Sequence, residues 1–184
     1  MKILCDLDGV LADFVSASYE VHGKEAEQAI KWNYFEDWNL GPGEFFGEIR
    51  KYKDFWRNLN PYPWKNSLVR EICKYDPEFL IMTKPDDHYN SWGGKFDWIG
   101  NHLNISRADR IMMGGSKHLL AAPNRVLIDD NDKNIEMWRD HGGIGILFPQ
   151  LYNDNMLIVG DRIQYVTNQL KIIANKLNKT AEPT

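Results

Sequence analysis

The chain has 184 residues, 43% hydrophobic and 26% charged, which is enough to bury one core in the ordinary globular range. A net charge of −4 without a Lys or Arg run argues against a nonspecific partner of nucleic-acid polymers, and nothing approaches the ~20 apolar residues of a membrane span. The two cysteines, Cys5 and Cys73, form no CxxC and cannot staple a domain this size, and Asp6 and Asp8 interrupt the only apolar stretch near the start, so the expectation is a reduced, cytoplasmic protein without a signal peptide.

The first element in chain order is a strand over Lys2–Leu7, nearly continuous in apolar character, as for a strand buried on both faces. Roughly seventy residues then pass before the next strand, far more than a crossover needs. Between Trp32 and Trp64 this interval holds 11 of the chain's 23 aromatic residues, too many for a disordered segment. It reads as a small helical cap over residues 15–64, inserted after the first strand. Pro61 and Pro63 stiffen the return to a core made of residues 1–14 and 65–184.

A helix near Ser67–Tyr75 leads into a second strand at Phe79–Thr83. Further strands follow at Arg110–Met113, Arg125–Asp129 and Ile144–Phe148. Helical stretches at His88–His102, Lys117–Ala121 and Asn131–His141 alternate with them, which predicts an α/β, Rossmann-like parallel sheet flanked by helices. Ile163, Val166, Leu170, Ile173 and Leu177 line one face of a last helix over Asp161–Leu177. That face is expected to pack on the sheet; a homodimer seam is the weaker alternative.

In such a sheet, ligands bind at the carboxyl ends of the strands. Asp6 and Asp8 lie at that end of the first strand, Thr83 at that of the second, and Asp129 and Asp130 at that of the fourth; Lys117 opens the helix before the fourth. Crowded carboxylates repel, and a divalent cation relieves them. An all-oxygen donor set without His or Cys favours Mg²⁺. Lys117 and the Thr83 hydroxyl can hold phosphate oxygens, with Lys84 as either a further phosphate contact or a surface charge. These are the parts that phosphoryl transfer requires. Of the aromatics, Trp38 and Phe46 are the candidates to stack on a substrate ring, the remainder being cap core. His118, beside Lys117, reads as surface.

"DLDGVLADF", "IMTKP", "SK" and "LIDDN" resemble, in order, the four motifs of the haloacid dehalogenase superfamily. The DGVLADF run, Pro61–Pro63 and Lys95–Ile99 more closely resemble the 5'(3')-deoxyribonucleotidases. The resemblance implies that Asp6 is the nucleophile of an aspartyl-phosphate intermediate and Asp8 the general acid and base. It implies Mg²⁺ held by Asp6, the Asp8 main-chain carbonyl and Asp130, with Asp129 helping through water. Thr83 and Lys117 would bind the phosphoryl group and Phe14 would border the nucleotide. The implied substrate is a deoxyribonucleoside 5'- or 3'-monophosphate. The alternatives are another small phosphoester such as a sugar phosphate, or a catalytically silent binding protein on the same fold. The chain departs from the family's usual pattern in three places: Lys84 where Ser is common, Gly115-Ser116 before Lys117, and Trp64 after the P-x-P segment.

Overall fold

The computed structural model describes residues 1–25, 29–105 and 108–181. Five strands, β1 (Lys2–Cys5), β2 (Leu80–Thr83), β3 (Ile111–Met113), β4 (Arg125–Asp129) and β5 (Ile144–Leu147), form one parallel sheet in the order β3-β2-β1-β4-β5. Leu4 pairs with Leu80 on one side and Leu127 on the other. The central strand β1 is therefore covered on both edges, which is why its sequence is apolar without alternation. From β1 the chain turns to one side for β2 and β3, then crosses to the other for β4 and β5. The crevice between β1 and β4 is the topological switch point at which open α/β sheets bind ligands.

The expected first strand was longer. It stops at Cys5 because the Leu7 carbonyl accepts from the amides of Val10, Leu11 and Ala12, closing a tight turn. Gly9 in that turn has φ +78°, and an added Cβ would lie 1.9 Å from Asp130 Oδ2, so only glycine fits. The strand end is thereby bent over the site.

The described residues form six α-helices: α1 (Phe14–Val21), α2 (Pro42–Ile49), α3 (Lys65–Cys73), α4 (Tyr89–Leu103), α5 (Asp132–Asp140) and α6 (Arg162–Ala181). The stretch expected as a helix from Lys117 is a single 3₁₀ turn, Lys117–Leu120. Val166, Leu170 and Ile173 of α6 are buried in the main core with Leu68 and Ile72 of α3. The apolar face of α6 is thus covered within the chain. Residues 182–184, the end of the last segment, lie outside the described residues.

Between α1 and α3 the chain forms an aromatic cap from α1, a 3₁₀ turn at Tyr34–Trp38 and α2. Its two crossings to the core are bonded together: Asp13 N donates to Asn60 O at 2.8 Å and Tyr62 N to Leu11 O at 2.9 Å. The cap also leans on α4. Trp98 Nε1 donates to Leu59 O at 2.7 Å, and Gly94 lets the helix approach Trp56 so closely that a Cβ would stand 2.9 Å from that side chain. No helix among the described residues is long and apolar enough to cross a membrane.

Candidate active site

The turns after β1 and β4 bring four carboxylates together, and two buried lysines meet them. Lys117, 3% exposed, stands 2.9 Å from Asp6 Oδ1 and 2.6 Å from Asp129 Oδ2. Lys95, 1% exposed, reaches Asp8 Oδ2 and donates to the Thr83 hydroxyl at 3.0 Å. The structure therefore gathers Asp6, Asp8, Thr83, Lys117 and Asp130 around one cavity of about 500 Å³, with Asp129 buried behind Lys117.

Asp129 is fully occupied. Oδ1 accepts from the Asn131 amide at 2.9 Å and from Asn134 Nδ2 at 3.1 Å, while Oδ2 takes Lys117. It is placed to orient Lys117 and the start of α5. Asp130 differs: Oδ2 accepts from the Tyr152 hydroxyl, but Oδ1 is buried without a hydrogen-bond partner, as is Asp8 Oδ1. Buried oxygens left open are expensive unless something binds them.

Burial pushes the Asp6 carboxyl up to about 6, against the pull of Lys117. Asp130 is raised well above the usual carboxylate range by burial and by its neighbours Asp129 and Asp6. Burial alone would lower Lys117, but Asp129 and Asp6 outweigh it and hold the ammonium above its ordinary value. Four carboxylates against two ammonium groups leave the pocket two charges negative when all are ionised. Oxygens of Asp6, Asp129 and Asp130 lie within 4.8 Å of one another. This donor set fits a hard divalent cation, and the open Oδ1 of Asp130 is its natural ligand.

Above this end the cavity wall is aromatic. Phe14 at the start of α1 and Phe46 of α2 both line it, with ring centroids 6.2 Å apart. Lys84 lines the rim as an exposed side chain. Trp38, expected to face a substrate, does not. It packs edge-on against Tyr19 at 4.8 Å, and against Tyr34 and Phe45, on the far side of the cap. Trp32 lines the cavity instead, set edge-on to Tyr152 at 5.6 Å.

Three further residues belong to the site. Lys95 carried a sequence signal: Ser91, Gly94, Lys95, Trp98 and Ile99 are the buried stripe of α4, and a lysine inside such a stripe needs a partner. Tyr152 and Gln150, which donates to the Gly9 carbonyl, come from the irregular segment after β5, where no periodicity points to them.

The family described as "5' nucleotidase, deoxy (Pyrimidine), cytosolic type C protein" matches residues 1–176. Among curated proteins, the cytosolic type 5'(3')-deoxyribonucleotidase of Homo sapiens is 27% identical over 145 residues, covering 72% of this chain and 71% of that protein. L-asparagine permease 2 of Mycobacterium bovis is 20% identical over 174 residues, covering 92% of this chain; the chain spans only 32% of the permease's length. A haloacid dehalogenase family hydrolase from Deinococcus radiodurans, solved with bound phosphate and sodium, superposes with a TM-score of 0.51 at 13% identity over 85% of this chain and 86% of that one. That likeness is one of fold. The match over residues 1–176 carries the assignment: the chain belongs to the family described as cytosolic type C deoxy-5'-nucleotidase, on a haloacid dehalogenase-type α/β fold.

Proposed function

We propose that the protein is a Mg²⁺-dependent phosphomonoesterase that removes phosphate from deoxyribonucleoside monophosphates in the cytoplasm. The observation that carries this reading is a buried cluster of four carboxylates and two lysines at the strand ends, opening into an aromatic-walled cavity of nucleotide size. The family match and the deoxyribonucleotidase relative favour the substrate class; two free cysteines agree with a reducing compartment.

Asp6 is the nucleophile. Its oxygen attacks phosphorus, the ester bond breaks, and an aspartyl-phosphate forms on Asp6. Asp8, steered by Lys95, gives a proton to the leaving oxygen. It then takes one from the water that attacks the phosphorus of the aspartyl-phosphate, releasing inorganic phosphate and Asp6. Lys117 and the Thr83 hydroxyl hold phosphoryl oxygens, and Asp129 keeps Lys117 in place. A Mg²⁺ ion held by Asp6, Asp130 and the Asp8 carbonyl supplies the charge neutralisation that lets an anionic nucleophile approach an anionic phosphate. Phe14 and Phe46 offer the sugar and base an apolar wall. A ribose 2'-hydroxyl against that wall would lose water and gain no partner, at a cost of about 1–3 kcal/mol.

The test is phosphate release from dUMP, UMP, dTMP and a sugar phosphate, with Mg²⁺ and with excess chelator. The expected pattern is Mg²⁺-dependent turnover with dUMP preferred over UMP by about 5–150-fold in kcat/KM. Full activity in chelator overturns the metal; equal kcat/KM for dUMP and UMP overturns the deoxy preference; a sugar phosphate turned over better than any nucleotide overturns the substrate class.

A further inference from the structure

Arg50 caps the end of α2, the helix that carries Phe46. Its guanidinium meets Asp86 as a fork: Nε to Oδ2 at 2.7 Å and Nη2 to Oδ1 at 2.6 Å. Paired hydrogen bonds of this kind fix direction as well as distance. Asp86 stands three residues beyond Thr83, in the loop that leaves β2, and it lines the cavity. That loop is itself held. The Asp86 amide donates to Ser91 Oγ at 3.0 Å, Ser91 is fully buried in α4, and Asp86 Oδ2 also accepts from the His88 amide at 3.3 Å.

Among the described residues this is the ion pair that joins α2 to the core. The other ion pair from the cap to the core, Arg57 to Asp97, is more exposed and lies beyond α2, where the chain already leans on α4. Without Arg50, α2 would keep its contacts within the cap but lose its tie to the loop that starts at Thr83.

Building on the reading of the site as a nucleotidase, we propose that Arg50 and Asp86 form a positioning pair that sets the span between the aromatic wall of α2 and the phosphate end, and so selects phosphoesters carrying a nucleoside. The pair touches neither the reacting atoms nor the metal ligands. It acts through Phe46, and the quantity it governs is how well a ring and a phosphate are bound at once.

The experiment compares wild type with Arg50→Met, Asp86→Asn and the charge-exchanged double variant Arg50→Asp with Asp86→Arg. Three quantities are read: KM and kcat for dUMP, the inhibition constant of inorganic phosphate, and amide hydrogen exchange across residues 42–49. Each single variant should raise the dUMP KM about tenfold with kcat within about twofold, the pattern of lost ground-state binding. The phosphate inhibition constant should stay put, exchange in α2 should quicken, and the double variant should recover most of both. Unchanged exchange in the single variants overturns the pair as a tie, whatever the substrate is. A phosphate constant that worsens in step with KM overturns it as a selector, since the damage is then general. If wild type fails to turn over dUMP, the nucleotidase reading falls, and the exchange measurement still decides the tie.

Discussion

Lys95 and Asp8 meet between α4 and the turn after β1: the ammonium donates to Asp8 Oδ2 and, 3.0 Å away, to the Thr83 hydroxyl. One buried cation thus aims the acid–base residue and a phosphate-binding hydroxyl together. Lys95→Met keeps the stem's length and apolar packing while removing the charge. We expect kcat to fall by about a hundredfold or more, the scale of a mispositioned proton donor. Steady-state kinetics beside a thermal melt checks this; a folded variant with wild-type kcat would assign Lys95 to structure alone.

Asp6→Asn changes shape little and removes the attacking charge. Turnover should drop at least about 10³-fold, because the covalent route loses its first step. Acid quenching with labelled substrate should trap phosphate on wild type and none on the variant. Equal labelling of both would place the nucleophile elsewhere.

The raised carboxyl groups of Asp6 and Asp130 have a consequence for stability. A carboxyl whose pKa is higher folded than unfolded binds its proton better in the native state, so the folded state gains as pH falls through the native value. For Asp6, between an unfolded value near 4 and about 6 folded, lowering the pH from 7 to 5 should add on the order of 1 kcal/mol, or about 2–4 °C in Tm. Asp130 adds in the same direction. In a His102→Gln background, which removes the opposing pull of a histidine whose pKa burial lowers, the metal-free protein should therefore melt higher at pH 5 than at pH 7, with Mg²⁺ at pH 7 abolishing the difference. A melting point that falls steadily between pH 7 and 5 in chelator would contradict the buried, uncompensated charge.

Trp38 and Phe46 should separate stability from binding. Trp38→Ala removes a half-buried ring packed against Tyr19, Tyr34 and Phe45, and should cost less than the about 3–5 kcal/mol of a fully buried tryptophan. Its KM should change little at a temperature where it is folded. Phe46→Ala should raise the dUMP KM several-fold with a smaller loss of Tm. The opposite assignment of the two effects would mean the cap's faces are reversed.

The parts of the site readable from the chain are those that sit at strand ends. Asp6, Asp129 and Thr83 follow apolar runs directly, so a parallel sheet places them at one edge. Lys95 was half visible, as a charge within the apolar stripe of a helix. The cap aromatics were not readable in the same way. Trp38 and Trp32 both lie in an aromatic-rich stretch, and only the packing of Trp38 against Tyr19, Tyr34 and Phe45, made by the folded chain, separates the ring that leaves the cavity from the one that lines it. Tyr152 and Gln150 belong to a segment held by side-chain bonds from Asn153 and Asn155 rather than by a repeating pattern. The early end of β1 came from a turn of three amides on one carbonyl, a geometry that Gly9 permits without announcing.

The bond from Gln150 to the Gly9 carbonyl spans 141 residues, and this separation bears on how the protein is made. A ribosome delivers Asp6 and Asp8 before Gln150 and Tyr152, by about seven to thirty seconds at ordinary elongation rates. Until Arg125–Asp129 emerges, β1, the centre of the finished sheet, lacks its β4 neighbour and presents an apolar edge. The nascent chain is therefore most open to mispairing while it already bears its nucleophile, and a slow stretch of translation just before β4 would lengthen the exposure of that edge.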